Sequence, residues 1–150
     1  MNQSYPNKHK KNGESGFANA AIQLIEKGLS RVVDLIFAKN HFVVFPAGEL
    51  TRMWHDIEEL DPKMAVIEAD KLVDTVLKRA NVRGDSLGER LRGVQKLVSR
   101  QVYNDMWEAH KVRNRLVHEF AHGIDAKESA GSIWKMKKFL TDLGAFKNDR

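Results

Sequence analysis

The chain has 150 residues, 42% of them apolar, which is the size of one domain with one core. It has no cysteine, which excludes a disulfide framework and a thiolate metal site, so a metal would need His, Asp or Glu. Formal net charge is +5 and the isoelectric point is near 9.5, a balance that favours anionic partners, RNA among them.

Residues 1–16 are polar and carry Lys8, His9, Lys10 and Lys11, which predicts a flexible basic arm. This basic start has no adjacent apolar core, so no secretory signal is expected. Residues 17–146 are expected to form one helical domain. Its first element is a long helix over 17–39, because Ile22, Ile25, Leu29, Val32 and Ile36 step by 3, 4, 3 and 4. The most apolar stretch, Arg31 to Ala47, is interrupted by Asp34, Lys39, Asn40, His41 and Pro46, so no transmembrane helix is expected. With the lack of cysteine, this fits a cytoplasmic protein.

His41 to Phe45 is the one β-like run and Pro46 ends it. A single short segment makes no sheet, so an apolar connector packed on helices is expected. Gly48 to Leu60 places Leu50, Met53, Trp54, Ile57 and Leu60 at helical spacing. Asp61-Pro62 is an N-cap followed by proline at the first helical position. The helix it opens runs to about Ala80, with Ala65, Ala69, Leu72, Val73, Val76 and Ala80 on one face. Val82 to Asp85 is a turn. Ser86-Leu87-Gly88-Glu89 is a capping box, and Leu87, Leu91, Val94 and Val98 predict a helix to about Val102.

Asn104 is placed to cap the next helix, which Gly123 ends. Asp125 with Glu128 starts the last one, with Ala130, Ile133, Leu140 and Leu143 inward and Lys137 as a misfit in that series. The expected fold is an all-α helical bundle of about five to six helices.

Residues 107–122 carry the chemistry. Met106, Ala109, Val112, Leu116, Val117 and Phe120 cover one arc of the helix, and Arg113 falls inside it. A guanidinium on a core-facing side needs a partner or an open cleft. The plain reading is a buried structural ion pair, for which Glu68 or Asp70 on the earlier helix could serve. His110, Asn114, His118 and His122 recur every four residues and form a polar stripe beside the arc. This suits a cleft, an interface or simply a polar helix–helix contact.

Two motifs overlap on this helix. Arg113, Asn114 and His118 form Arg-Asn-x3-His, and His118, Glu119 and His122 form His-Glu-x2-His. The second has the spacing with which two imidazoles share a zinc, as in zinc peptidases. No later histidine follows His122, which leaves Asp125, Glu128, Asp142 and Asp149 as third ligands.

The first motif agrees with the order of the elements. Met64-Ala-Val-Ile-Glu-Ala-Asp-Lys-Leu-Val-Asp74 precedes a Ser-Leu-Gly-Glu-Arg-Leu helix, and Trp107-Glu-Ala-His-Lys-Val-Arg-Asn-Arg-Leu-Val-His-Glu119 follows. Over residues 62–145 this resembles the HEPN superfamily, whose main signature matches in full at Arg113, Asn114 and His118. The resemblance implies an α-helical bundle that dimerises so that two motifs face each other. Many members are endoribonucleases that need no metal or other cofactor, often in toxin–antitoxin or defence systems, and others only bind nucleotides or partners. Where some toxins of the family continue the motif with a modifiable tyrosine, this chain has Phe120, so control by tyrosine modification is not expected.

The residue types fit RNA cleavage. Attack by a 2′-hydroxyl needs a proton acceptor, a proton donor and a cation for the crowded phosphorane. Histidine serves either proton role near neutrality, and arginine forks two N–H groups onto phosphate oxygens. One such histidine per chain is too few for both roles, and a two-fold dimer supplies two. The expectation is therefore a homodimeric, metal-independent endoribonuclease with Arg113, Asn114 and His118 catalytic and His110, Glu68 and Asp70 supporting. Its partners would be RNA, a second copy and, in a toxin setting, an antitoxin protein. The alternatives are a non-catalytic HEPN-like binding module and a zinc peptidase through His118 and His122.

Overall fold

The computed structural model describes residues 41–118 and 123–149, together with Gln23 and Ile25, which are both helical. The chain divides into two units, residues 1–37 and 38–150. The arm expected over 1–16, and the helix expected over 17–39 apart from Gln23 and Ile25, lie outside the described residues.

The second unit is all-helical among the described residues. It contains α1 (Glu49–Glu58), α2 (Pro62–Arg79), α3 (Leu87–Gly93), α4 (Arg100–His118) and α5 (Ala126–Leu143), with short 3-10 turns at Gln95–Leu97 and Lys147–Asp149. Three of the four N-caps foreseen from the sequence are present. Asp61 accepts from the Lys63 and Met64 amides at 3.1 and 3.2 Å, Ser86 from that of Glu89, and Asp125 from that of Glu128. At the other end of α2, Lys78 and Arg79 face the negative pole of the helix dipole.

α2, α4 and α5 form the centre of the bundle. The ion pairs Glu108–Lys135 and Arg115–Glu128 run in opposite orders along α4 and α5, so these two helices are antiparallel. The Ser129 hydroxyl donates to the Pro62 carbonyl at 2.8 Å and joins the first turns of α2 and α5. Trp54, Leu77, Met106, Leu116, Met136 and Phe139 are fully buried between the helices. Burial of side chains this size stabilises by roughly 1.5–3 kcal/mol each. Phe42 and Phe45 are also buried, so the connector before α1 packs on the helices as its apolar run predicts.

Three expectations need correction. The helix opened by Ser86 does not reach Val102. It stops at Gly93, a 3-10 turn follows, and Val98 is extended. Apolar spacing continues across this break, whereas Gly93 lowers helix propensity there and Ser99 recaps the chain by accepting from the Val102 amide at 3.3 Å. For the same reason Asn104 caps nothing: α4 already begins at Arg100, and Asn104 is exposed within it. On α5, Ala130 is exposed, and the inner face is Ser129, Ser132, Ile133, Met136, Phe139, Leu140 and Leu143. The two serines tolerate burial because their hydroxyls donate to the Pro62 and Glu128 carbonyls. The misfit Lys137 sits at the edge of this face, pairs with Glu58 at 2.9 Å and lies 5.8 Å from the Trp54 ring.

Candidate functional site

The core-facing side of α2 carries a carboxylate. Asp70 lies among Val66, Ala69 and Val73, and the residue is 3% exposed. A buried carboxylate must be paired or hydrogen-bonded. Two residues of α4 meet it. His110 Nδ1 is 2.8 Å from Oδ1, and Arg113 Nε is 3.3 Å from Oδ2. The second contact is a close ion pair without the alignment of a hydrogen bond.

Asn114 closes the figure. Its Nδ2 is 3.2 Å from His110 Nε2, and its Oδ1 accepts from Arg113 Nη1 at 3.0 Å. Asp70, His110, Asn114 and Arg113 thus form a ring of polar contacts. A carboxylate only accepts, so His110 donates from Nδ1. Nε2 is then an acceptor for the Asn114 amide, whose oxygen faces the arginine. Arg113 Nε aside, each polar group of the ring meets a hydrogen-bonding neighbour, and this fixes the Arg113 and Asn114 side chains. The Arg113 side chain is 27% exposed, and among the described residues its Nη2 has no acceptor.

His118 lies one turn beyond Asn114 on the same face of α4 and is exposed. Among the described residues it makes no hydrogen bond. Val117 beside it is 42% exposed and does not share in the core, contrary to the arc expected for it. Phe120 lies outside the described residues.

Of the two acidic partners offered for Arg113, Asp70 is the one that binds. Glu68 is not part of the site and pairs with Lys71 at 2.6 Å. Two residues along a helix differ by 200° around its axis, so with Asp70 facing α4, Glu68 faces away.

Among the described residues, no three His, Asp or Glu side chains converge as a metal site. Glu119 and His122 lie outside those residues. Three of the third ligands considered are engaged elsewhere. Asp125 caps α5, Glu128 pairs with Arg115, and Asp142 pairs with Lys138 at 3.3 Å.

A second arginine–aspartate pair escaped the sequence reading. Arg90 of α3 has a side chain only 5% exposed, and its Nε donates to Asp74 Oδ1 at 2.7 Å. Its Nη1 donates to the Gly84 carbonyl. Gly84 has φ +145°, and a Cβ there would sit 2.8 Å from that of Glu89, so only glycine fits this turn. Burial by itself would raise the Asp74 pKa, but hydrogen bonds from Arg90 and Lys78 outweigh it and hold it below 3.8. A signal was available: Arg90 falls between Leu87 and Leu91 on a short buried helix, where a cation needs a partner.

Two surface clefts, of about 470 Å3 where the start of α2 meets α5 and about 510 Å3 between α1 and α2, are not lined by Arg113, Asn114 or His118. Compared with known proteins, the chain matches no family model, no curated protein and no solved structure.

Proposed function

We propose that this chain is a HEPN-like domain that cleaves RNA without a metal cofactor, as a homodimer with a composite Arg/His site. The observation that supports this most is the ring Asp70–His110–Asn114–Arg113. It orients a guanidinium whose Nη2 has no acceptor among the described residues, and the next turns of α4 carry the exposed His118. Preorganised cations that need not reorient during reaction are effective stabilisers of developing charge.

The chemistry assigns each group one task. The 2′-oxygen bonds to phosphorus as its proton passes to a neutral His118, and the bond from phosphorus to the 5′-oxygen breaks. A protonated His118 from the second copy gives its proton to that oxygen, leaving a cyclic phosphate. Arg113 holds the non-bridging oxygens through Nη2, and Asn114 keeps Arg113 in place. The resemblance extends the proposal to a toxin or defence setting with a neutralising partner protein.

The test is single-turnover cleavage of single-stranded RNA with chelator present. Wild type should cut, and folded His118→Ala should lose roughly 10²–10⁴-fold in rate. Equal cutting by wild type and His118→Ala would sink the assignment.

One observation favours the binding-module reading. Asp70 already matches the Arg113 charge within the chain, which lowers its attraction for phosphate. Under that reading Arg113→Ala loses stability, and no variant, wild type included, cuts RNA.

A further inference from the structure

The net charge of this chain is concentrated in one stretch. Residues 78–100 hold seven Lys or Arg against two carboxylates, Asp85 and Glu89, which leaves +5, equal to the formal charge of the whole chain. Three of those cations are engaged within the chain, Arg90 on Asp74 and Gly84, Lys78 on Asp74, and Arg79 over the Phe45 ring at 4.2 Å. Arg83, Arg92, Lys96 and Arg100 are exposed, and among the described residues none of them forms an ion pair. Glu89 is turned away onto its own loop, where it accepts from the Asp85 amide at 2.7 Å.

The four cations belong to one end of the bundle. A Cβ on Gly93 would sit 3.3 Å from Val82 Cγ1, so the chain beside Arg92 lies against the chain beside Arg83. The 3-10 turn and Ser99 then carry Lys96 and Arg100 into the start of α4. Arg100 stands in the first turn of α4, which has no acidic residue. The helix dipole disfavours a cation there, and a bound anion would offset that cost.

From Arg100 the positions Tyr103, Trp107, His110, Asn114 and His118 step by 3, 4, 3, 4 and 4 and share one face of α4. Tyr103 and Trp107 are half-buried against the core, with ring centres 6.3 Å apart, and Trp107 packs on Gly88 of α3 and lies 5.8 Å from the His110 ring. The stripe is about 27 Å long at 1.5 Å per residue. We infer that the basic end docks the backbone of single-stranded RNA, whose chain continues past α4 towards Arg113, Asn114 and His118. Cations that neutralise phosphates supply most of the hold on a nucleic-acid backbone. A phosphate backbone is favoured over an acidic protein segment because the patch leads into the helix that carries Arg113 and His118. The inference rests on the RNA reading for the chemistry of its ligand.

The experiment measures binding separately from cleavage. The full chain carrying His118→Ala is titrated onto a labelled RNA of about 20 nucleotides over about 50–300 mM salt. The same is done with Arg83→Ala, Arg92→Ala, Lys96→Ala and Arg100→Ala added together. Each neutralised contact should flatten the plot of log affinity against log salt by about 0.7. The fourfold variant should therefore bind roughly 10²-fold or more weaker at about 0.1 M salt, with an unchanged melting temperature. Arg92→Gln with Lys96→Gln, a milder change, should flatten the slope by about 1.4. Unchanged slopes in both variants overturn the inference, as does failure of the parent to bind RNA. Tighter binding of polyglutamate of equal charge also overturns it, in favour of an acidic protein partner. If the slopes flatten but wild type cuts no RNA, the docking surface stands and the catalytic reading of Arg113 and His118 fails.

Discussion

Asp70 and Asp74 stand one turn apart on α2, and each takes an arginine from a different helix. Asp74 holds Arg90 of α3 with an aligned hydrogen bond of 2.7 Å, and the guanidinium is buried and also tied to the Gly84 carbonyl. Asp70 holds Arg113 of α4 at 3.3 Å, and that side chain is 27% exposed, its Nη2 without an acceptor among the described residues. The chemistry of the two pairs is the same and the surroundings differ. The first joins α2, α3 and the turn between them into one piece. The second, with His110 and Asn114 around it, presents a cation at the surface. An arginine in an apolar pattern is therefore a question about where its unused N–H groups point.

The largest loss of stability expected from this contrast is at Arg90. Arg90→Ala leaves the Gly84 carbonyl without its donor and Asp74 with Lys78 alone, so it should destabilise by about 1–3 kcal/mol in urea unfolding. A loss under about 1 kcal/mol would show that the pair acts like a surface bridge. The next effect should appear in activity. Arg113→Lys keeps the charge and loses the planar fork, and loss of one preorganised donor typically costs about 10²–10³ in rate. RNA cleavage should fall by that amount with little change in melting temperature. If Arg113→Lys melts as early as Arg90→Ala, the two arginines have the same structural task and the contrast collapses.

A smaller effect should follow pH. Asp74 is held below 3.8 in the folded chain, whereas unfolded it titrates near its ordinary value. Its stabilisation is thus complete above the unfolded pKa and is lost as pH falls through the lowered folded value. The stability gap between wild type and Asp74→Asn should be widest near neutrality and close as acid titrates Asp74. Unfolding midpoints at a series of pH values measure this, and a gap independent of pH would remove the ion pair as its cause. The smallest effect is expected at Glu68, whose exposed pair with Lys71 lies off the site. Glu68→Gln should change stability by under about 1 kcal/mol and leave RNA binding and cleavage intact. Loss of either function there would mean that the site extends around α2.

Much of the bundle was legible because helix starts and apolar faces are local. Asp61, Ser86 and Asp125 cap the helices assigned to them, and Leu50, Trp54, Ala65, Val73, Val76 and Leu116 are buried as their spacing predicts. The break at Gly93 was not, because apolar spacing passes through it unchanged. In the candidate site, the stripe His110, Asn114, His118 and the need of Arg113 for a carboxylate were readable from helical period alone. The ring was hidden because it joins residues forty positions apart in sequence, Asp70 and His110.

The sequence by itself determined an all-helical chain, the helix that bears the motif and the residues that share its polar face. These follow from a period of 3.6 residues and from capping chemistry, both set within a few neighbouring positions. The tertiary structure decided that Asp70 and not Glu68 meets Arg113, because the rotation of α2 about its axis is set by the core it packs into. It also decided that one arginine is enclosed while the other keeps an open edge. Locally each is a cation within an apolar pattern, and the helices packed around it set its exposure, 5% for the Arg90 side chain and 27% for that of Arg113.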